Sequence, residues 1–83
     1  MLMKSVSISV EEVYVPARLR QSLDPQRVQS LAEDIIEHGQ ETPIQVRRDK
    51  DRYVLVTGLH RLEAVRYLGE RTIDALIVQA RNF

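Results

Sequence analysis

The stretch that most narrows the choice of folds is Tyr53-Val54-Leu55-Val56-Thr57-Gly58-Leu59-His60-Arg61-Leu62-Glu63-Ala64. Its apolar opening, Tyr53 to Val56, reads as a strand. Leu62, Val65 and Leu68 then recur at helical spacing, and Gly69 closes the segment. A strand, a glycine turn and a helix start therefore meet at Thr57-Gly58, which directs the chain to folds that pack helices on a sheet. The first helical turn carries His60 and Arg61. A helix N-terminus has free N–H groups and the positive end of the dipole, so it favours Asp or Glu. Two potential cations are sensible there when an anion sits between them and the N–H groups, and phosphate is the usual one. The same residues also admit a plain structural account. Thr57 would be the N-cap, Gly58 a turn residue and the His60-Arg61 pair a solvated edge, and a short glycine motif does not choose between the two.

The 83 residues suffice for one small domain, spanning 1–83, with one modest core. The absence of Cys removes thiol catalysis, disulfides and cysteine zinc sites. Metal ligation would have to rest on His38, His60 and carboxylates, without tight His spacing to support it. Twelve Lys and Arg balance twelve Asp and Glu. That balance argues against sequence-independent DNA binding as the sole task and leaves a local basic patch open. No apolar run approaches membrane length, and Met1-Leu2-Met3-Lys4 lacks the apolar core of a signal peptide. The expectation is a cytoplasmic domain with no membrane partner.

Along the chain, Val6 and Ile8 alternate with Ser5, Ser7 and Ser9, which predicts a half-buried strand near Lys4 to Ser9. Val10-Glu11-Glu12-Val13 reads as a helical turn that ends before Val15-Pro16. Pro16 to Leu23 has no period and reads as a loop bearing Arg18 and Arg20. Asp24-Pro25 is the strongest local signal, an N-cap followed by proline at the first helical position. Val28, Leu31, Ala32, Ile35 and Ile36 form one stripe expected to be buried, with Gly39 as the αL terminator. Arg27, Ser30 and Asp34 fall on the opposite face, either as an ordinary wet face or as a ligand-facing line. Ile44 to Arg47 and Tyr53 to Val56 flank the polar turn Asp49-Lys50-Asp51-Arg52 and predict a hairpin. A helix from about Leu59 to Leu68 follows, then a strand, Ile73 to Val78, whose continuous apolar run suggests burial on both faces. Arg81-Asn82-Phe83 reads as a frayed end. The sum is an α+β domain, a small mixed β-sheet with two principal helices packed on it.

Two sets of segments then resemble known families. Leu23 to Leu31 resembles the helix-opening segment of sulfiredoxins, and Gly58-Leu59-His60-Arg61 resembles their Gly-Cys-His-Arg signature. Glu37-His38-Gly39, Pro43 to Arg47, Gly58 to Ala64 and Leu68-Gly69 look at least as much like the N-terminal domain of ParB partition proteins. Both families share the ParB/sulfiredoxin fold, and the resemblance runs from about Val6 to Val78. It implies nucleotide binding, of ATP or CTP with Mg²⁺. Gly58 would allow close backbone approach, His60 and Arg61 would contact phosphates, Ser30 would lie on the nucleotide side of the first long helix, and Arg27 would stand where sulfiredoxins usually have Lys.

The departures from these families carry their own expectations. Sulfiredoxin chemistry needs the signature Cys as nucleophile, and Leu59 stands in its place, so sulfinic acid reduction is not expected. The ParB Gly-Glu-Arg-Arg turn is altered here at two positions. ParB proteins carry a DNA-reading helix-turn-helix and a dimerising segment after this domain, and a chain ending at Phe83 is expected to be a stand-alone domain or one domain of a longer protein. The leading expectation is a nucleotide-binding domain, a weak NTPase or a nucleotide-gated switch, with Asp34 or Glu63 available to hold a divalent cation or position water. The second is a DNA-binding or nuclease-type domain using Arg18, Arg20, Arg47, Arg48, Lys50 and Arg52, of which the last four flank a mixed-charge turn. The third is a protein-interaction module that kept the fold and lost the activity. The oligomeric state is left open.

Overall fold

The computed structural model describes residues 4–40 and 42–78, and the expected frayed end lies outside the described residues. Its elements are β1 (Val6–Ser9), a 3₁₀ turn (Val10–Glu12), β2 (Val13–Tyr14), α1 (Ala17–Arg20), α2 (Pro25–His38), β3 (Ile44–Asp49), β4 (Arg52–Thr57), α3 (Leu59–Tyr67) and β5 (Thr72–Ile77). The strands form one five-stranded sheet in the order β1-β5-β3-β4-β2. β1 pairs with β5 and β3 with β4 in antiparallel fashion, whereas β3–β5 and β2–β4 are parallel. The expected α+β class with a mixed sheet is the class observed.

The core joins Ile8, Ile44, Val46, Leu55, Ile73 and Ala75 of the strands to Leu59, Leu62 and Val65 of α3. α3 is therefore the helix most deeply embedded, while α2 lies chiefly against α3. This corrects the expectation for the α2 stripe. Only Ala32 is fully buried, Val28, Leu31 and Ile35 are half-buried, and Ile36 is 70% exposed. A single neighbouring helix covers a narrower strip than a sheet surface would, and Ile36 falls at the edge of the stripe.

Three other expectations need correction. Pro16 to Leu23 is not all loop, because Ala17–Arg20 forms α1 after Pro16, and the chain then turns with Ser22 Oγ donating to the Leu19 carbonyl at 2.7 Å. One helical turn is too short for a hydrophobic period to show. The two-residue strand β2 is hidden for the same reason. The continuous apolar run in β5 does not mean burial on both faces: Ile73 and Ala75 are buried, Thr72 and Asp74 exposed, and Leu76 half-buried. β5 is hydrogen-bonded along both edges, and its burial alternates as in a sheet covered on one face.

The α2 signals hold in detail at its start. The Asp24 carboxylate accepts the Gln26 N–H at 3.0 Å, with Pro25 as the first helical residue. At its end Gly39 has φ 76° and ψ 178°, not the αL pair expected but the mirror-image extended region, which is equally a glycine conformation. The β3–β4 hairpin is tighter than expected, with Lys50-Asp51 alone connecting the paired residues Asp49 and Arg52. Near its open end the register shifts between Gln45 and Val46, whose partners are Thr57 and Leu55. Val56 is thus the extra residue of a β-bulge, and a bulge bends the strand that carries it. The bend falls just before β4 hands over to α3.

Candidate functional site

Gly58, not Thr57, is the N-cap of α3, in the left-handed region at φ 108° and ψ 28°, and no side chain caps the helix. The Leu62 N–H donates to the Gly58 carbonyl at 2.9 Å, which leaves the amides of Leu59, His60 and Arg61 ahead of the first intrahelical bond. A Cβ placed on Gly58 would meet Ile44 Cγ2 at 2.6 Å and Ile44 Cα at 3.2 Å. The glycine is needed so that the start of α3 can press against β3. The family resemblance implies close approach of a ligand at Gly58; the fold itself supplies a close neighbour in Ile44.

A cleft of about 550 Å³ opens beside this turn. Gly58, His60 and Arg61 line one wall, Arg27 and Ser30 of α2 another. All five residues singled out in the sequence therefore come together around one cavity. Leu19, Ser22, Leu31 and Val56 also line it and were missed. Leu19 and Ser22 lie in the segment that reads as loop, Leu31 belongs to the stripe expected to be buried, and Val56 sits at the bulge. No Asp or Glu lines the cleft, and neither Arg27 nor Arg61 forms an ion pair among the described residues. The cleft is thus locally cationic in a chain whose formal net charge is zero.

His60 is more constrained than its neighbours. Its Nε2 accepts the backbone N–H of Asp24 at 2.9 Å. An acceptor nitrogen carries no proton, so in this arrangement the ring is neutral with its hydrogen on Nδ1. The second cation expected at this helix start is therefore a neutral donor with one N–H to offer. Leu59, between Gly58 and His60, is only 7% exposed and belongs to the core. An apolar side chain at this position turns inward and packs.

The carboxylates considered for a cation lie elsewhere. Asp34 pairs with His38 Nδ1 at 3.0 Å, Glu63 pairs with Arg66 at 3.4 Å, and neither lines the cleft. Among the described residues no group of three or more His, Asp or Glu is placed to hold a metal ion. Of the hairpin cations, Arg48 and Arg52 are engaged locally, whereas Arg47 and Lys50 form no ion pair among the described residues. Arg52 pairs with Asp49 at 3.4 Å and lies 4.2 Å over the Tyr14 ring, and Arg48 donates to the Tyr53 hydroxyl at 3.2 Å. Arg18 and Arg20 sit on α1, and Arg20 lines a second cavity together with Arg52 of the hairpin and the acidic Glu11, Glu12 and Glu63. No helix among the described residues is long and apolar enough to cross a membrane.

Comparison with known proteins gives a consistent picture. The family model of the ParB N-terminal domain matches residues 3–82. A nucleoid occlusion protein of Halalkalibacterium halodurans is 38% identical over 72 residues, which cover 84% of this chain and 25% of that protein. The chain spans about a quarter of the length of the curated relatives it matches. Among solved structures, sulfiredoxin from Arabidopsis thaliana superposes with a TM-score of 0.83 at 30% identity, covering 93% of this chain and 86% of that one. The C-terminally truncated chromosome-partitioning protein ParB from Caulobacter crescentus, complexed with CTP-γ-S, gives 0.81 at 24% identity over 95% of this chain and 46% of that one. A free serine kinase mutant in complex with AMP gives 0.80 at 20% identity, over 92% of this chain and 31% of the kinase. The last two likenesses show a shared fold.

Proposed function

The chain belongs to the ParB N-terminal domain family, and from that premise we propose that it binds a nucleoside triphosphate in the cleft between α2 and the start of α3 and acts as a nucleotide-gated switch. The observation that carries this reading is the meeting of Arg27, Ser30, Gly58, His60 and Arg61 around one cavity with no carboxylate in its lining. Phosphate oxygens are strong acceptors and need several convergent donors. The free amides of Leu59 to Arg61, the Arg61 and Arg27 guanidinium groups, the Ser30 hydroxyl and the His60 Nδ1–H are such donors. The dipole of α3 adds the favourable sign of field. Neighbours of this fold hold a CTP analogue and AMP, which supports a nucleotide as the anion.

Mg²⁺ would enter with the phosphates and its own water, as this ion commonly does, because Asp34 and Glu63 stand outside the cleft. A hydrolytic enzyme needs a group that orients or deprotonates the attacking water. With no carboxylate lining the cleft, the arrangement favours binding over rapid turnover. The apolar residues Leu19, Leu31 and Val56 offer surface for a base and do not by themselves select purine or pyrimidine.

The test is a titration of the chain with ATP, CTP, GTP and ADP, each with and without Mg²⁺, read by thermal shift and by amide NMR. A bound nucleotide raises the melting temperature by mass action and moves the Gly58 to Arg61 amides. Arg61→Ala is expected to weaken that nucleotide by about tenfold or more, the loss of a charge-assisted contact, with stability changed by no more than about 0.5 kcal/mol. If no triphosphate moves these amides at millimolar concentration, the cleft is not a nucleotide site.

A further inference from the structure

The walls of the cleft differ in how firmly they are held. Gly58 to Arg61 sit on α3, whose Leu59, Leu62, Ala64 and Val65 are buried. The opposite wall belongs to the α1–α2 connection and the first turns of α2, where Leu23 is 39% exposed and Ala32 is the one fully buried residue of α2. Few buried apolar contacts mean low local stability. Among the described residues one hydrogen bond crosses from this wall to the firm one, Asp24 N–H to His60 Nε2 at 2.9 Å. It ends on the N-cap residue of α2, so it fixes where that helix begins.

We infer that His60 is a positioning residue that couples occupancy of the phosphate site to the placement of the α1–α2 connection. The inference rests on the nucleotide reading above. A neutral imidazole has one acceptor and one donor nitrogen. Here the acceptor holds the Asp24 amide, and the remaining Nδ1–H is free to donate to an anionic oxygen. Donation to phosphate pushes electron density toward Nε2 and strengthens its bond to Asp24, because linked hydrogen bonds polarise one another. Nucleotide therefore tightens the loosely held wall. By reciprocity, a wall that has lost its tie binds nucleotide less well. A cationic side chain such as Arg in this position could contact phosphate and would have no acceptor for the Asp24 amide. The single ring does both.

The experiment uses the full chain labelled with ¹⁵N, as wild type, His60→Ala and His60→Gln. In the free protein, the His60 ring nitrogens should report the Nδ1-protonated neutral form. Exchange of the Asp24 amide should quicken about fivefold in His60→Ala, the effect of one net hydrogen bond. His60→Gln, whose amide oxygen reaches about as far as Nε2, should restore much of the protection. On titration with Mg²⁺ and CTP or ATP, the Ser22 and Asp24 amides of wild type should saturate together with Gly58 to Arg61. In His60→Ala at saturating nucleotide, Gly58 and Arg61 should still move while Asp24, which does not line the cleft, stays still. A proton on Nε2, unchanged Asp24 exchange in His60→Ala, or an undiminished Asp24 response there would each overturn the coupling. Silence of wild type toward every nucleotide would overturn the coupling together with the nucleotide reading. An intact Asp24 tie in the free protein would mark that failure as one of ligand rather than of the tie.

Discussion

At Gly58 a hydrogen atom is the largest side chain that fits. The position combines a left-handed backbone with a Cβ direction that runs into Ile44 Cγ2 at 2.6 Å. Gly58→Ala is expected to cost about 2–4 kcal/mol, from backbone strain and overpacking together, as measured by urea unfolding. Ile44→Ala alone should cost about 2–5 kcal/mol, since Ile44 is fully buried. The double variant should cost at least about 1 kcal/mol less than the sum, because removing Ile44 Cγ2 relieves the clash. Strict additivity would show that the contact is not the cause. Leu59 illustrates the limits of motif reading at this scale. Alignment with the Gly-Cys-His-Arg signature says only that a nucleophile is missing, whereas its burial in the core shows that the position has a packing role. Leu59→Ala should therefore destabilise by about 2–4 kcal/mol. A loss near zero would contradict the buried placement.

α2 is the element whose ends were legible and whose middle was not. Its N-cap and C-terminal glycine are local chemistry, written within a few residues, and Asp24→Ala should cost about 1 kcal/mol through the lost bond to Gln26. Which of its apolar residues are covered depends on what lies opposite, and that is α3 rather than the sheet. Ile36→Glu should accordingly change stability by no more than about 0.5 kcal/mol in denaturant unfolding. A loss of 2 kcal/mol or more would mean that Ile36 is covered after all. α1 and β2 escaped the sequence reading because elements of four and two residues cannot display a period. α1 nonetheless matters to the cleft, since it brings Leu19 into the lining and leads to Ser22.

For the molecule as a whole, the formal net charge is zero, and charge matters only where it is left uncompensated. Arg52 pairs with Asp49, Arg48 and Arg52 lie over the rings of Tyr53 and Tyr14, and Asp49 and Asp51 interleave with the remaining hairpin cations Arg47 and Lys50, so this chain by itself is expected to bind duplex DNA no better than about 10⁻⁴ M at physiological salt, the weak end of non-specific binding. A micromolar, steeply salt-dependent affinity in an anisotropy titration would show a basic surface that the hairpin contacts do not neutralise. Nucleotide affinity, by contrast, should weaken as ionic strength rises, because Arg27 and Arg61 have no ion-pair partner among the described residues and screening reaches partly exposed charges.

The sequence by itself determined the α+β class, the caps of α2, the hairpin and the strand–glycine–helix junction at Gly58. Each is specified by residues within a turn or two of one another, through backbone preference, hydrophobic period and turn chemistry. It also named Arg27, Ser30, Gly58, His60 and Arg61, on helix polarity and resemblance. Only the tertiary structure decided that these five surround one cleft, that Gly58 is held to hydrogen by Ile44, and that His60 Nε2 is occupied by the Asp24 amide. The physical reason is sequence separation. The packing of α2 on α3 and the parallel pairing of β3 with β5 join segments far apart in the chain, and no local pattern records which distant surface a side chain will meet.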